Sequence, residues 1–420
     1  MNKIDLLARV VALGVVALSA SVGCSGATPL SGDRKVQDDG TAAGGENEKD
    51  AGTETTDPSV STSVGKLAVV IIDTQQVFFT TATARNPKAN VPARMANEKR
   101  VFELAAASKV PTFVSYEASK SGDHALPPSL AAVLPPQAQE FIKTTFAATG
   151  QPQFLGAIKA SEARRLLVVG AETDVCVLQS MLGLRRAGFE VLALVDALFT
   201  EEVNDGPALR RMRQAGIVAV TMQDAEALIT NGAASPAAPA SGPPVIVSPL
   251  ETGIVLHDLA GLSVADPNAA AKKARMKELL LISEWFKMPV LAADPQAALA
   301  ALPADLKAIV KRPFLALSAR PAQVKQLVVA GGRSGLDAVV TELQKGGDVF
   351  LVEDALFGGA SADLEPLYVK GAVPTTYKTL YYEMIQSVND AQWPSQQWVT
   401  DSNPYFDLTK SPEELPPLVP

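Results

Sequence analysis

Two apolar patterns alternate along this chain. Short unbroken runs, KLAVVIID (66–73), PTFVSY, RLLVVGA and EVLALVD, lack the every-second-residue polarity of a half-exposed strand. They predict strands buried on both faces. Between them, apolar residues recur at helical spacing over about 92–108, 154–162, 174–187 and 206–215. FIKTTF adds a strand-like piece, and IVAVT followed by a helix to about Ile229 closes the unit. Strands alternating with helices predict an α/β unit with right-handed crossovers and a mostly parallel central sheet.

The pattern then restarts. After a Pro/Ala/Ser linker at 232–244, GIVLHD (253–258) parallels AVVIID. A helix is predicted over about 268–286, then the strand PVLAA. IVKRPF parallels FIKTTF, which sets Lys311 against Lys143. LVVAGGRSGLDAVVTEL parallels LVVGAETDVCVLQSMLGL, VFLVEDALF parallels VLALVDALF, and KGAVPTTYKTLYYEMI parallels AGIVAVTMQDAEALI. A period of about 160–185 residues is a domain duplication rather than a solenoid. The expected organisation is a first domain at 66–231, the linker at 232–244, a degenerate second domain at 245–389 and a polar tail at 390–420.

The N-terminus belongs to neither copy. MNKIDLLARVVALGVVALSASVGC has Lys3 and Arg9, then an apolar run too short to span a bilayer, then small residues. This is the layout of an export signal over 1–24. Its ending, SVGC, resembles a bacterial lipobox, with Ser21 where leucine is usual, and marks Cys24 as a lipidation site. Residues 25–65 are too poor in large apolar side chains to fold and predict a flexible tether. The expected location is therefore the outer side of a bacterial membrane, reached through an N-terminal lipid. The net charge of −8, with Lys and Arg scattered, excludes an extended nucleic-acid surface.

The chain has two cysteines. If Cys24 carries lipid, Cys176 has no disulfide partner and must be buried or used. Open parallel sheets build their sites at the carboxyl ends of strands. Asp73 ends the first strand, Lys143 lies in FIKTTF, and Cys176 follows RLLVVGA near the start of a helix. A helix N-terminus and a nearby ammonium both favour thiolate, so the Cys176 pKa is expected to lie below the ordinary thiol value. Base, cation and nucleophile together suit attack on a carbonyl carbon. Singly, each has a plainer explanation: a helix-capping carboxylate, a solvated lysine, a small buried hydrophobe.

The motifs resemble a known family. IIDTQQVFF is similar to the opening of isochorismatase-like cysteine hydrolases, FIKTTFAA to their lysine strand, and GAETDVCVLQS to their cysteine motif. The resemblance covers about 66–230 and implies a three-layer α/β/α domain, so that the duplication becomes two such domains in tandem. It implies Asp73 as proton acceptor, Lys143 as charge partner and Cys176 as nucleophile, with Gln75, Glu117, Ala171, Glu172 and Thr173 around substrate and oxyanion. It also implies a non-proline cis peptide near Ala171–Glu172. The family reaction is hydrolysis of an amide or related C–N bond through a thioester. No cofactor is implied. The metal-binding nicotinamidase branch needs an Asp-x-His motif, whereas SYEASKSGDHALP has the single His124, so no metal is expected. Glu117 reads equally as a pocket residue or a solvated loop acid.

In the second copy Asp258 keeps the place of Asp73, while Leu336 falls opposite Cys176 and Ala260 opposite Gln75. That copy is expected to pack on the first as an inactive pseudo-dimer partner. Three readings follow: a membrane-tethered cysteine hydrolase of a small amide-like molecule, a binding or scaffold lipoprotein on a decayed hydrolase fold, and a redox sensor, which lacks a resolving cysteine.

Overall fold

The computed structural model describes residues 65–118, 125–239, 241–259, 262 and 269–386. The signal segment, Cys24, the tether, His124, Ala260 and the C-terminal tail lie outside the described residues.

The first half is a six-stranded, all-parallel sheet: β1 (Leu67–Ile72), β2 (Thr112–Glu117), β3 (Gln139–Lys143), β4 (Arg165–Ala171), β5 (Glu190–Phe199) and β6 (Val218–Val220). The order β3-β2-β1-β4-β5-β6 puts β1 and β4 in the middle. Their residues are buried along both strands, as unbroken Val/Ile/Leu runs require when helices cover both faces. One face carries α1 (Gln76–Arg85), α2 (Val91–Ala107) and α7 (Met222–Asn231), which bury Phe79, Phe102 and Leu228. The other carries α4 (Pro152–Ala160), α5 (Leu178–Arg186) and α6 (Gly206–Gln214), which bury Phe154, Leu182 and Met212; α3 (Pro128–Ala131) is a single turn before β3.

The second half repeats this plan in a six-stranded parallel sheet with order β12-β11-β10-β7-β8-β9. Its strands are β7 (Thr252–His257), β8 (Val290–Ala292), β9 (Leu315–Ala316), β10 (Gln326–Gly332), β11 (Asp348–Phe357) and β12 (Val373–Thr375). The helices are α8 (Ala269–Trp285), α9 (Pro295–Ala301), α10 (Ala304–Lys307), α11 (Leu336–Gln344), α12 (Glu365–Val369) and α13 (Tyr377–Ile385). The fold is thus two tandem α/β units, each a parallel sheet between helical layers.

The halves share a core. One cluster of buried side chains runs from Phe154, Leu182 and Met212 of the first half into Met276, Leu280, Phe350 and Tyr381 of the second. Phe146 meets Tyr382 edge to face, with ring centroids 4.7 Å apart, and its N–H donates to the Gln386 carbonyl at 3.1 Å. A charge pair is embedded there. Arg211 on α6 donates to both carboxylate oxygens of Glu383 on α13, at 2.7 and 2.6 Å, with both side chains at most 2% exposed. The Val247 N–H adds 3.0 Å to the same carboxylate. Removing one member of such a pair strands a charge in an apolar interface. Glu383→Ala should therefore cost about 3–5 kcal/mol, read as a lower midpoint in chemical denaturation.

One close approach sets the site. Gly170 in β4 has φ +123°, and a Cβ there would run into the Ile72 carbonyl. Glycine lets β4 lie against the end of β1 where the chain turns to Cys176. Gly331 repeats this against the His257 carbonyl, with φ +127°.

Candidate active site

Three strands of the first sheet deliver three side chains to one point at their carboxyl ends. Asp73 follows β1 with φ 48°, a left-handed turn that swings its carboxylate over the sheet end. Lys143 is the last residue of β3, paired in register with Glu117, the last of β2. Cys176 follows β4 across a cis peptide between Ala171 and Glu172, at the position the resemblance implies. The expected helix from about 174 starts later, at Leu178. Residues Thr173–Val177 instead form a wider turn in which the Val177 N–H donates to the Glu172 carbonyl at 3.1 Å. Such single wide turns recur at functional sites.

The geometry is tight and dry. Lys143 Nζ lies 2.6 Å from Asp73 Oδ2, both side chains fully buried, and 3.5 Å from Cys176 Sγ. Ser115 Oγ donates to the other Asp73 oxygen at 3.0 Å. On its far side Sγ meets Glu117 Oε2 at 3.5 Å. Glu117 is held through its backbone. Gln75 Oε1 accepts its N–H at 2.7 Å and Gln75 Nε2 donates to its carbonyl at 3.2 Å. Gln75 thus positions Glu117. Ala171 and Thr173 are buried, and the Thr173 hydroxyl has no hydrogen-bond partner among the described residues. The Glu172 carboxylate pairs with Lys378 Nζ at 2.9 Å.

Electrostatics correct one expectation. Burial pushes the Cys176 thiol well above its ordinary value; Lys143 pulls it down, but Asp73 and Glu117 push it up again. Desolvation and two carboxylates outweigh one ammonium, so the resting sulfur is a thiol rather than a thiolate. Burial likewise raises the Asp73 carboxyl against the pull of Lys143. It raises Glu117 to about 7, again against Lys143, with Asp73 adding to the rise. Glu117 keeps some exposure at the mouth, where solvent tempers that rise. Lys143 is lowered by burial but raised further by Asp73, Cys176 and Glu117 together, so it stays an ammonium. Atoms of Asp73, Glu117 and Cys176 lie within 4.8 Å of one another, close enough to share a cation. Lys143 Nζ already stands against two of them, and its charge opposes a metal there.

The chain matches the Isochorismatase domain model over residues 67–224. Over these residues the chain is similar to isochorismatase domains. Two curated relatives, Isochorismatase family proteins 1A and 1B of Dictyostelium discoideum, are each 41% identical over 63 residues. That stretch is 15% of this chain and 31% of each relative, so the chain spans about a third of the length of the curated relatives it matches. Among solved structures, the MAR1 ribonuclease of Caenorhabditis elegans is 24% identical with a TM-score of 0.35, covering 40% of this chain and 83% of that one. The YcaC gene product of Escherichia coli, an octameric hydrolase of unknown specificity, is 24% identical with a TM-score of 0.35, covering 42% and 85%.

The second half departs from the first at the site. Asp258 keeps the Asp73 backbone, with φ 42°. Lys311 does not stand opposite Lys143. In the strand ladders Leu315 takes the place of Gln139, so Ala319 takes that of Lys143, while Lys311 lies exposed ahead of β9. The similarity of IVKRPF to FIKTTF misleads because β9 has only two residues and ends in a turn before a lysine position is reached. The cysteine position also shifts by one. Cys176 lies six residues beyond Gly170 and Asp337 six beyond Gly331, so Asp337 rather than Leu336 is the counterpart. Neither residue is a thiol. An open cavity of about 590 Å³ remains at this sheet end, lined by Asp258, Arg333, Ser334 and Leu336 among others.

Substitutions at Lys143 and Glu117 should move the thiol in opposite directions. Lys143→Met removes the cation that lowers the Cys176 pKa and should slow alkylation. Glu117→Gln removes a carboxylate that raises it and should quicken alkylation, most clearly above about pH 7, where Glu117 is ionised. Iodoacetamide rates against pH report both.

Proposed function

We propose that the first half is a cysteine hydrolase of a small amide-type substrate, acting through Cys176. The observation that carries this reading is the fully buried Asp73–Lys143 pair set 3.5 Å from the sulfur. Similarity to isochorismatase domains supports hydrolysis as the reaction class.

Chemistry follows from the charge balance. At rest, Asp73 and Lys143 neutralise each other and the thiol keeps its proton. As the substrate carbonyl approaches, the thiol proton passes to Asp73, whose raised pKa makes it a better base than an exposed aspartate. Lys143 then faces the sulfur as it becomes a thiolate. Sγ adds to the carbonyl carbon, and backbone N–H groups around Ala171–Thr173 receive the oxyanion. The C–N bond breaks, the nitrogen leaves with the proton held by Asp73, and a thioester remains. Water, deprotonated by Asp73, adds to the thioester; the C–S bond breaks, and carboxylic acid and thiol are released. Glu117, across the sulfur from Lys143, can accept an N–H of the leaving amide nitrogen. Cys176→Ala should abolish turnover, and mass spectrometry of the wild-type protein under substrate should show an acyl adduct on Cys176 that the variant lacks. A panel of small primary amides and ureas from which the wild type releases no ammonia would favour the second reading.

That reading, a binding or scaffold protein on a decayed hydrolase fold, is favoured by the burial of Sγ between two carboxyl groups, which keeps the thiol neutral. It predicts ligand binding with no adduct.

Export and lipidation belong to the same proposal. Residues 1–24 direct the chain out of the cytoplasm, Cys24 takes the lipid, and 25–65 hold the hydrolase off the membrane. Cys24→Ala should move the full-length protein from the membrane pellet to the soluble fraction.

A further inference from the structure

Lys378 belongs to the second half, in the first turn of α13, yet its ammonium reaches into the first half. Its Nζ lies 2.9 Å from Glu172 Oε2, 3.3 Å from Glu201 Oε1, and 3.7 Å from both Asp174 Oδ2 and Glu202 Oε1. Only 10% of the side chain is exposed. Glu172 and Asp174 are part of, or directly precede, the turn that carries Cys176; Glu201 and Glu202 follow β5. One residue on, Thr379 Oγ1 donates to the Asp174 carbonyl at 3.0 Å. Within the first half, Thr200 Oγ1 donates to Asp174 Oδ1 at 2.6 Å, and the Glu201 N–H donates to Glu172 Oε1 at 3.3 Å. Arg85 pairs with the outer oxygen of Glu201 at 3.0 Å.

The charge count makes this more than an ordinary interface contact. Four carboxyl groups surround one buried ammonium, with Arg85 at the rim. Burial raises Glu172 to about 8; Lys378 pulls it down, and Glu201 and Asp174 push it up. Burial would lower Lys378, but the surrounding acids together hold it well above its ordinary value, so it stays charged. Without that cation the acids repel one another on both sides of the cysteine turn. Among the described residues the other charge pairs between the halves, Arg211–Glu383, Arg210–Glu353 and Arg213–Glu365, engage α6 rather than the side chains of the turn.

We propose that Lys378 is a positioning residue for Cys176: the second half, which has no thiol of its own, completes the first by clamping the turn at 172–177. The clamp is a statement about the turn; its catalytic consequence rests on the hydrolase reading above.

The test compares the wild-type chain with Lys378→Met, Lys378→Arg and, as an interface control, Glu353→Gln. Two readouts are taken: hydrogen exchange of the amides at 173–177, and the rate of Cys176 alkylation against pH. With the clamp removed, exchange at these amides should rise. Alkylation near neutral pH should quicken by about tenfold, the effect of one unit of downward shift in a thiol titrating above the working pH, because a loosened turn relieves the burial that holds the thiol up. Lys378→Arg should restore both, and Glu353→Gln should change neither. If Lys378→Met fails to fold, Glu172→Gln removes the nearest partner and should loosen the same amides. Unchanged exchange and alkylation in Lys378→Met, or equal loosening in Glu353→Gln, would overturn the proposal. The two readings are separable. A wild-type thiol whose alkylation ignores Lys143→Met counts against the hydrolase, while the exchange data still decide the role of Lys378.

Discussion

The buried ion pair between Asp73 and Lys143 is what the site is built around. Neither charge can be left alone in so dry a place, since an unpaired buried ion costs several kcal/mol. Their contact requires the ends of β1 and β3 to stay level across β2, and it requires the left-handed turn at Asp73. Ser115 holds one carboxylate oxygen from β2, and Gln75 ties the first strand end to the Glu117 backbone. These contacts make a small rigid frame across three strands. The sulfur is brought to it from a fourth, by the close packing of Gly170 on Ile72. What results is a nearly neutral cluster in which burial holds the thiol proton in place.

Much of this was legible in the sequence. Unbroken apolar runs placed the central strands because a parallel sheet buried on both faces leaves no polar periodicity to confuse them. The carboxylate, the lysine and the cysteine were legible because strand ends are where such sheets place chemistry. Two local misreadings have a common physical cause. IVKRPF looks like a lysine strand, but strand register depends on how far β9 runs before it turns, and local composition does not encode that. Leu336 aligned with Cys176 by letters, whereas the glycines that touch β1 and β7 set the true correspondence one residue further on. The thiol pKa failed for another reason. A helix terminus and an ammonium are visible as letters, but desolvation depends on how completely the fold closes over Sγ.

Lys378 was the least legible part of the site. It lies more than two hundred residues from Cys176 in a stretch, TTYKTLYYEMI, whose tyrosines and leucine read only as an apolar helix face. Nothing local separates this lysine from a solvated one. The usable signal was on the other side of the contact: Glu172, Asp174, Glu201 and Glu202 crowd a buried turn, and such crowding asks for a cation. Ser115 was not singled out either, although strand alternation puts it on the same face as Glu117.

The shared core gives the duplication a further meaning. In a symmetric dimer every substitution appears twice, so a change that helps the interface while harming the site harms both sites. Here the two surfaces belong to one chain but to separate stretches of it. The second half carries neither a lysine nor a thiol at the matching positions, yet it keeps the faces that share a core with the first half. Fusion thereby lets each copy change without the other, so that a substitution in one face is felt once and not twice.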